Sequence, residues 1–328
     1  MGLASLSTLL LFLFLVSLCT SDDQLTPAKP LTFPNDKLVS TNGVFAMGFF
    51  SPSQTNSSTR FYIGIWYNNI PKREVVWIAN RDNPIIIPSS ATLAVTNRSD
   101  IVLSDPDEGR IYWSTENNIT VKRDAGASVT LSNDGNLVLR SSNGTVLWQS
   151  FDHPTDTLLP GMPLRMNYRT RFVGRLVSRK GPDDPSSGDF SLGGDLSSGL
   201  QYFIWNRSTP FWRSGAWSGA VFPSYKLSDA GPVIIETVVT KGDEISLSYS
   251  VPDESLGIHV KLSYTGTYEL SIWNSSLLAR TILDAYPRPG CDHYAYCGPF
   301  SYCDSTEGFP RCKCPEGFEP NGTTPSGR

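Results

Sequence analysis

The 328-residue chain is predicted to be all-β, and three observations carry the prediction. It is rich in aromatic strand formers, with 8 Trp, 13 Tyr and 16 Phe, and in turn formers, with 27 Gly and 24 Pro. Rings pack well on pleated surfaces, and Gly and Pro punctuate them. Charged residues make up only 18%, below the ~25% of an average globular chain. Along the chain, apolar and polar residues alternate over short runs separated by polar turns, the period-two signature of strands. At ~150 residues per domain the length implies about two domains and a small third. The formal net charge of −4 provides no positive field for a phosphate backbone, which argues against a nucleic-acid partner.

The N-terminus sets the compartment. Leu6–Leu18 reads LSTLLLFLFLVSL and is bounded by Asp22 and Asp23. That run is short for a membrane span and suits a secretory leader over residues 1–21, cut after Cys19 or Ser21, although no Lys or Arg precedes it. No later stretch approaches ~18 apolar residues, so membrane attachment is expected only through a segment beyond this chain. Seven Asn-x-Ser/Thr acceptor sites, at Asn56, Asn97, Asn118, Asn143, Asn206, Asn274 and Asn321, agree with export. Cys19 leaves with the leader, and the other five cysteines all follow residue 290. Residues 22–290 therefore hold together by burial alone.

The first zone contains a weak internal repeat. LVSTNGVFAMGF (38–49), TLAVTNRSDIVLSD (92–105) and VTLSNDGNLVLRS (129–141) each place a polar turn between two alternating runs. A Trp-bearing strand follows each: IGIWY and VVWIANR after the first, IYWS after the second, VLWQSF after the third. Three such units imply a pseudo-threefold β-prism with indoles filling its axis; the plainer alternative is a β-sandwich with scattered Trp. Asn143-Gly144 fits a two-residue hairpin turn, since both residues tolerate positive φ.

These residues resemble a known family. GFFSP (48–52), YIGIWY (62–67), VVWIANRDNPI (75–85), LSNDGNLVLR (131–140) and LWQSFDHPTDTLLPGM (147–162) look like the bulb-type, mannose-binding lectin domain of plant S-locus receptor-like kinases, here 22–152. The second zone, 153–286, opens with the basic stretch RMNYRTRFVGRLVSRK (165–180). It reads either as a docking strip for a polyanion or, more plainly, as a solvated strand and linker. FWRSGAWSG (211–219) resembles the S-locus glycoprotein region. Hairpins about Lys241-Gly242-Asp243 and Thr265-Gly266-Thr267 suggest a second prism-like domain. In the third zone, 287–328, Cys291, Cys297, Cys303, Cys312 and Cys314 read as a disulfide framework. The zone resembles an epidermal-growth-factor-like module, which implies Cys291–Cys303 and Cys297–Cys312. Cys314 is then unpaired in this chain, awaiting a sixth cysteine. The resemblance implies a longer relative continuing into an apple-like module, a membrane span and a kinase.

Catalytic motifs are missing from the sequence: there is no Gly-rich phosphate loop, His-Arg-Asp or Asp-Phe-Gly. The chain is therefore read as a binding protein, not an enzyme, with no cofactor. His153, His259 and His293 fall in separate zones without metal-ligand spacing, so no metal site is expected. Family mannose pockets are written Gln-x-Asp-x-Asn-x-Val-x-Tyr. The third repeat keeps Asp134, Asn136 and Val138, with Ser132 and Arg140 at the ends; the second keeps only Val102. Turn chemistry in Asn133-Asp134-Gly135-Asn136 explains the retained polar residues as well as sugar binding does. The resemblance implies an extracellular or secreted region, on the outer face of the plasma membrane in a longer receptor. It would recognise a protein or peptide, or a glycan, in pollen self-recognition or defence, and homodimerisation through β surfaces is compatible. Two alternatives are a free-standing secreted decoy or co-receptor and a mannose-binding defence lectin.

Overall fold

The computed structural model describes residues 23–52, 59–86, 90–115, 126–198, 201–217, 234–252, 257–306 and 308–319. The leader reading (1–21), Asn56, Asn118, Asn321 and Ser218-Gly219 lie outside them. The described residues form six four-stranded antiparallel sheets, one carrying an extra short strand, and a terminal two-stranded hairpin.

Thr92–Val95 and Ser128–Leu131 alternate half-buried and buried positions, and Ile101–Asp105 alternates in the opposite phase. Such a strand must lay one face on a partner, and three sheets satisfy one another by facing a common axis. The first sheet contains Lys37–Val39, Phe45–Phe50, Arg60–Tyr67 and Val75–Ile78, with Ile85–Ile86 alongside Arg60–Tyr67. The second contains Leu31–Thr32, Thr92–Val95, Ile101–Asp105 and Arg110–Ser114; the third, Gln24–Leu25, Ser128–Leu131, Leu137–Arg140 and Val146–Gln149. The chain start thus pairs with the two later sheets and closes the ring.

The repeat is visible in backbone detail. Gly43, Ser99 and Gly135 occupy the same place in each hairpin turn, at φ of 73°, 59° and 85°. Each donates its N–H to the residue three back, Ser40, Thr96 or Ser132. Glycine suits the left-handed position, and Ser99 tolerates it in the second turn.

At the axis Trp77, Trp113 and Trp148 meet edge-to-face, with centroids 5.7–6.0 Å apart. Trp66 departs from the expected filling of the axis. It lies on the outer side of the first sheet in a separate apolar cluster with Phe50, Tyr62, Val75 and Ile78, under the Arg73 guanidinium at 4.6 Å. The Asn143-Gly144 turn also differs from the two-residue expectation. Ser141 and Thr145 close it, and only Gly144 has positive φ. The Asn143 Oδ1 accepts from the Thr145 N–H and the Ser141 hydroxyl, which holds Asn143 in an ordinary turn conformation.

A second set of three sheets repeats the plan. These are Thr157–Leu158, His259–Leu262, Tyr268–Asn274 and Ala279–Tyr286; Phe172–Val173, Leu164–Asn167, Glu244–Ser250 and Ile235–Lys241; and Arg175–Arg179, Ser187–Gly194, Tyr202–Asn206 and Thr209–Arg213. Its interior holds Leu158, Leu192, Trp212, Tyr249, Val260 and Leu270 in place of an indole triad. Strand membership passes from one prism to the other between Gln149 and Thr157. Beyond Tyr286, Cys291 bonds Cys303 and Cys297 bonds Cys312, while the Cys314 thiol is free and half-buried. Tyr302–Asp304 pairs with Arg311–Lys313, and His293 bridges Trp212 at the edge of the last sheet.

Replacing Trp148, 4% exposed, by alanine removes a third of the axis filling. Chemical denaturation is expected to show a loss of about 3–5 kcal/mol, with loss of near-ultraviolet signal from the remaining indoles.

Candidate functional site

The third-repeat hairpin carries the candidate sugar residues. Asp134 is exposed, and its Oδ1 accepts the Asn136 backbone N–H at 3.0 Å. Asn136 is buried, 8% exposed. Its Oδ1 accepts from the Ser150 hydroxyl and the Phe151 N–H, both at 3.2 Å, and its Nδ2 donates to Gln149 Oε1 at 3.0 Å. Val138 is buried opposite Thr130 and Gln149. Arg140 is exposed and donates to the Gly144 carbonyl at 3.3 Å. One strand and its turn therefore hold Asp134, Asn136 and Val138 together, with the Asn136 amide engaged by the chain itself.

The second repeat explains that engagement. Asp100 takes the place of Asn136, is buried, and accepts from both the N–H and the hydroxyl of Thr115. Thr115 and Ser150 each follow their axial indole by two residues. Their hydroxyls accept the next strand's N–H, from Ile101 at 3.0 Å and Leu137 at 2.9 Å. In the first repeat the equivalent places hold Val44 and Ala79, both packed on the core. The side chain after the turn thus ties the hairpin to the indole strand by hydrogen bonds in two repeats, while in the first Val44 and Ala79 pack on the core instead. The shared Trp-x-Thr/Ser spacing was the sequence signal for this tie.

A second concentration of chemistry lies between the prisms. Trp77 Nε1 donates to the His153 carbonyl at 2.8 Å, and the His153 ring stacks on Trp148 at 5.2 Å and 9°. The His153 ring, at an exposed bend, is thus an aromatic cap on the indole axis. Three residues on, Asp156 is 1% exposed and accepts from Arg179 Nε at 2.7 Å. Arg179 also donates to the Val75 carbonyl, and Arg81 donates to the carbonyls of Pro185, Val177 and Ser178. Lys261 pairs with Glu74 at 2.7 Å. His259 lies 3.9 Å from Glu74, stacks on Tyr67 and is 2% exposed.

Burial raises the Glu74 pKa, but Lys261, His259 and Arg280 outweigh it and bring it down to about 2. Asp156 falls to about 2 in the same way, burial being overcome by Arg179, Lys261 and Arg81. Burial, reinforced by Arg280, lowers His259 to about 3. The acids and bases here are matched and packed into an interface, which suits a structural lock and not acid–base catalysis. Among the described residues no group of three His, Cys, Asp or Glu is placed to hold a metal ion.

Of the acceptor sites described, Asn97, Asn143 and Asn206 are exposed at hairpin turns or a strand end. Asn274 is half-buried, its Oδ1 accepting from the Ser276 and Leu277 N–H groups. Three of the six cations of the basic stretch 165–180 form ion pairs: Arg165 with Asp152 and Glu244, Arg169 with Asp243, and Arg179 with Asp156.

The D-mannose binding lectin family model matches residues 74–180, and the S-locus glycoprotein domain model matches 212–322. The chain is 37% identical over 316 residues to the receptor-like serine/threonine-protein kinase SD1-7 of Arabidopsis thaliana, covering 95% of this chain and 36% of that protein. It is 34% identical over 324 residues to the S-locus-specific glycoprotein S6 of Brassica oleracea, covering 96% of this chain and 72% of the glycoprotein. It thus spans about a third of that kinase's length. A monocot mannose-binding lectin from Gastrodia elata overlaps 39% of the chain at TM-score 0.29 and 17% identity; the architecture rests on the strand pairing above.

Two outcomes test the interface. Asp156→Asn leaves Arg179 buried without its counter-charge and is expected to lower unfolding free energy by about 3–5 kcal/mol. For pH, His259 binds its proton near 6.5 when unfolded and near 3 when folded. The unfolded state takes up more protons, so stability falls as pH drops below 6.5, by about 2 kcal/mol between pH 7 and pH 5. His153, also lowered by burial, adds in the same direction. Glu74 and Asp156 contribute fully above about pH 5 and lose that contribution progressively as pH falls from there to about 2. Denaturation midpoints of His259→Gln across this window should show a flatter slope.

Proposed function

Because the chain belongs to the S-locus glycoprotein and lectin receptor-kinase family, we propose that it is the extracellular ligand-recognition region of such a receptor. In this reading residues 22–152 are the lectin domain, 153–286 the S-locus glycoprotein domain and 287–328 an epidermal-growth-factor-like module. The chain binds a protein or peptide in self-recognition or defence signalling and transmits occupancy to a kinase elsewhere in the longer protein. Its mannose pockets are degenerate. The observation that carries this is Asn136: its amide serves Gln149, Ser150 and Phe151 and is largely spent within the protein. With Ser132 and Arg140 in place of the motif's Gln and Tyr, two further sugar contacts are missing, each worth about 1 kcal/mol or more. A secreted decoy or co-receptor is the second reading, favoured by the 72% coverage of an S-locus glycoprotein.

Mannose-agarose chromatography of the exported chain tests the pocket. The native protein is expected in the flow-through, and Ser132→Gln with Arg140→Tyr is expected to stay there too, since the Asn136 amide remains engaged. Native retention that Asp134→Ala abolishes would restore the mannose-lectin reading. Sequencing the transcript beyond Arg328 separates receptor from decoy.

A further inference from the structure

One cation of the basic stretch follows a different course from its neighbours. Arg175 stands on the outer side of the sheet Arg175–Arg179, Ser187–Gly194, Tyr202–Asn206, Thr209–Arg213, in a rung whose cross-strand partners run Arg175, Gly193, Phe203, Arg213. At about 4.8 Å per strand, the two arginine backbones are roughly 14 Å apart. Gly193 leaves room for the arginine stem: a Cβ there would come within 2.8 Å of Arg175 Cγ. Trp205, one rung along, stacks on Phe203 at 5.3 Å and 24°, and Phe203 meets Tyr294 of the cysteine module at 6.2 Å. The row of rings therefore crosses from the second prism onto the module.

Both guanidiniums lie on this row. Arg175 sits over Trp205 at 3.9 Å and donates to the Ser191 hydroxyl at 3.4 Å; Arg213, exposed, lies over Tyr294 at 5.9 Å. Among the described residues neither forms an ion pair. The carboxylates nearby have their own partners, Asp189 with Arg207 and Asp195 with Ser197, although Asp195 adds a local negative field at Arg175. Beyond Arg213 and Tyr294 the surface opens into a cleft of about 480 Å³, also lined by His293, Tyr296 and Asp292, whose carboxylate accepts the Arg288 backbone N–H at 2.9 Å.

We propose that this face binds an acidic oligosaccharide of the uronic-acid type, laid across the strands. Half-buried Trp205 and exposed Tyr294, tilted relative to one another about the buried Phe203, offer ring surface to the C–H groups of a pyranose. Guanidiniums at either end of the row provide two-pronged donors for carboxylates. Two separated ring surfaces, each beside a guanidinium, suit a repeating ring polymer better than an acidic peptide, which has no ring faces to lay on them. The site is separate from the third-repeat hairpin and does not depend on the mannose reading.

The test is titration calorimetry of the glycosylated, exported chain with short oligogalacturonides, beside their methyl-esterified forms, neutral mannan oligosaccharides and a poly-glutamate peptide. Binding is expected for the free acid alone and should weaken with salt. Arg213→Gln and Arg175→Gln are each expected to weaken it about tenfold or more, and Asp134→Ala to leave it unchanged. Arg213 is exposed, so its variant keeps the fold, checked by circular dichroism. Equal binding of the esterified form, unchanged affinity in Arg213→Gln, or no binding of the acid would overturn the proposal. Equal affinity for poly-glutamate would overturn it in favour of an acidic protein partner.

Discussion

Closure of the first prism depends on three indoles meeting at one axis. Each sheet buries one face only if the other two are present, and Trp77, Trp113 and Trp148 are where the three faces touch. Edge-to-face rings gain about 0.5–1.5 kcal/mol per pair beyond the area they bury, and the arrangement fixes where each hairpin turn falls. The ties from Asp100 and Asn136 to Thr115 and Ser150 then hold those turns to the indole strands. Polar residues that resemble a sugar site are thereby committed to keeping the ring closed.

The same axis determines how the second prism is attached. His153 covers the indole cluster and accepts a hydrogen bond from Trp77, so the connection between prisms starts as part of the first core. Three residues later Asp156 is surrounded by Arg179 and Lys261 of the second prism. Charges buried in this way add little over a well-packed apolar interface, yet become costly once one partner is lost. Their effect is on geometry: Arg81 must find three carbonyls at once, and the relative placement of the prisms is fixed accordingly.

Much of this was legible in the sequence. LSNDGNLVLR and its two fainter copies specify hairpins through alternation and turn residues, and the indoles after them mark the axis. Trp66 was misread because period-two alternation places it on the opposite face from Ile65, and the outer apolar cluster there has no counterpart among the described residues of the other repeats. The interface was invisible for a simpler reason. Glu74, Asp156, Arg179 and Lys261 are far apart along the chain, and no local pattern shows that they converge. At the hairpin site the residue types were readable, but not that Asn136 would turn its amide inward, which depends on a serine fourteen positions away.

The contacts of Arg81 and Asp156 have a consequence for how such proteins diversify. A first prism joined to a second prism without Arg179 and Lys261 would keep both cores, yet would leave Asp156 and Glu74 without their counter-charges at the boundary. The charge match at the boundary therefore couples the two prisms, while changes on the outward face of either meet no such constraint.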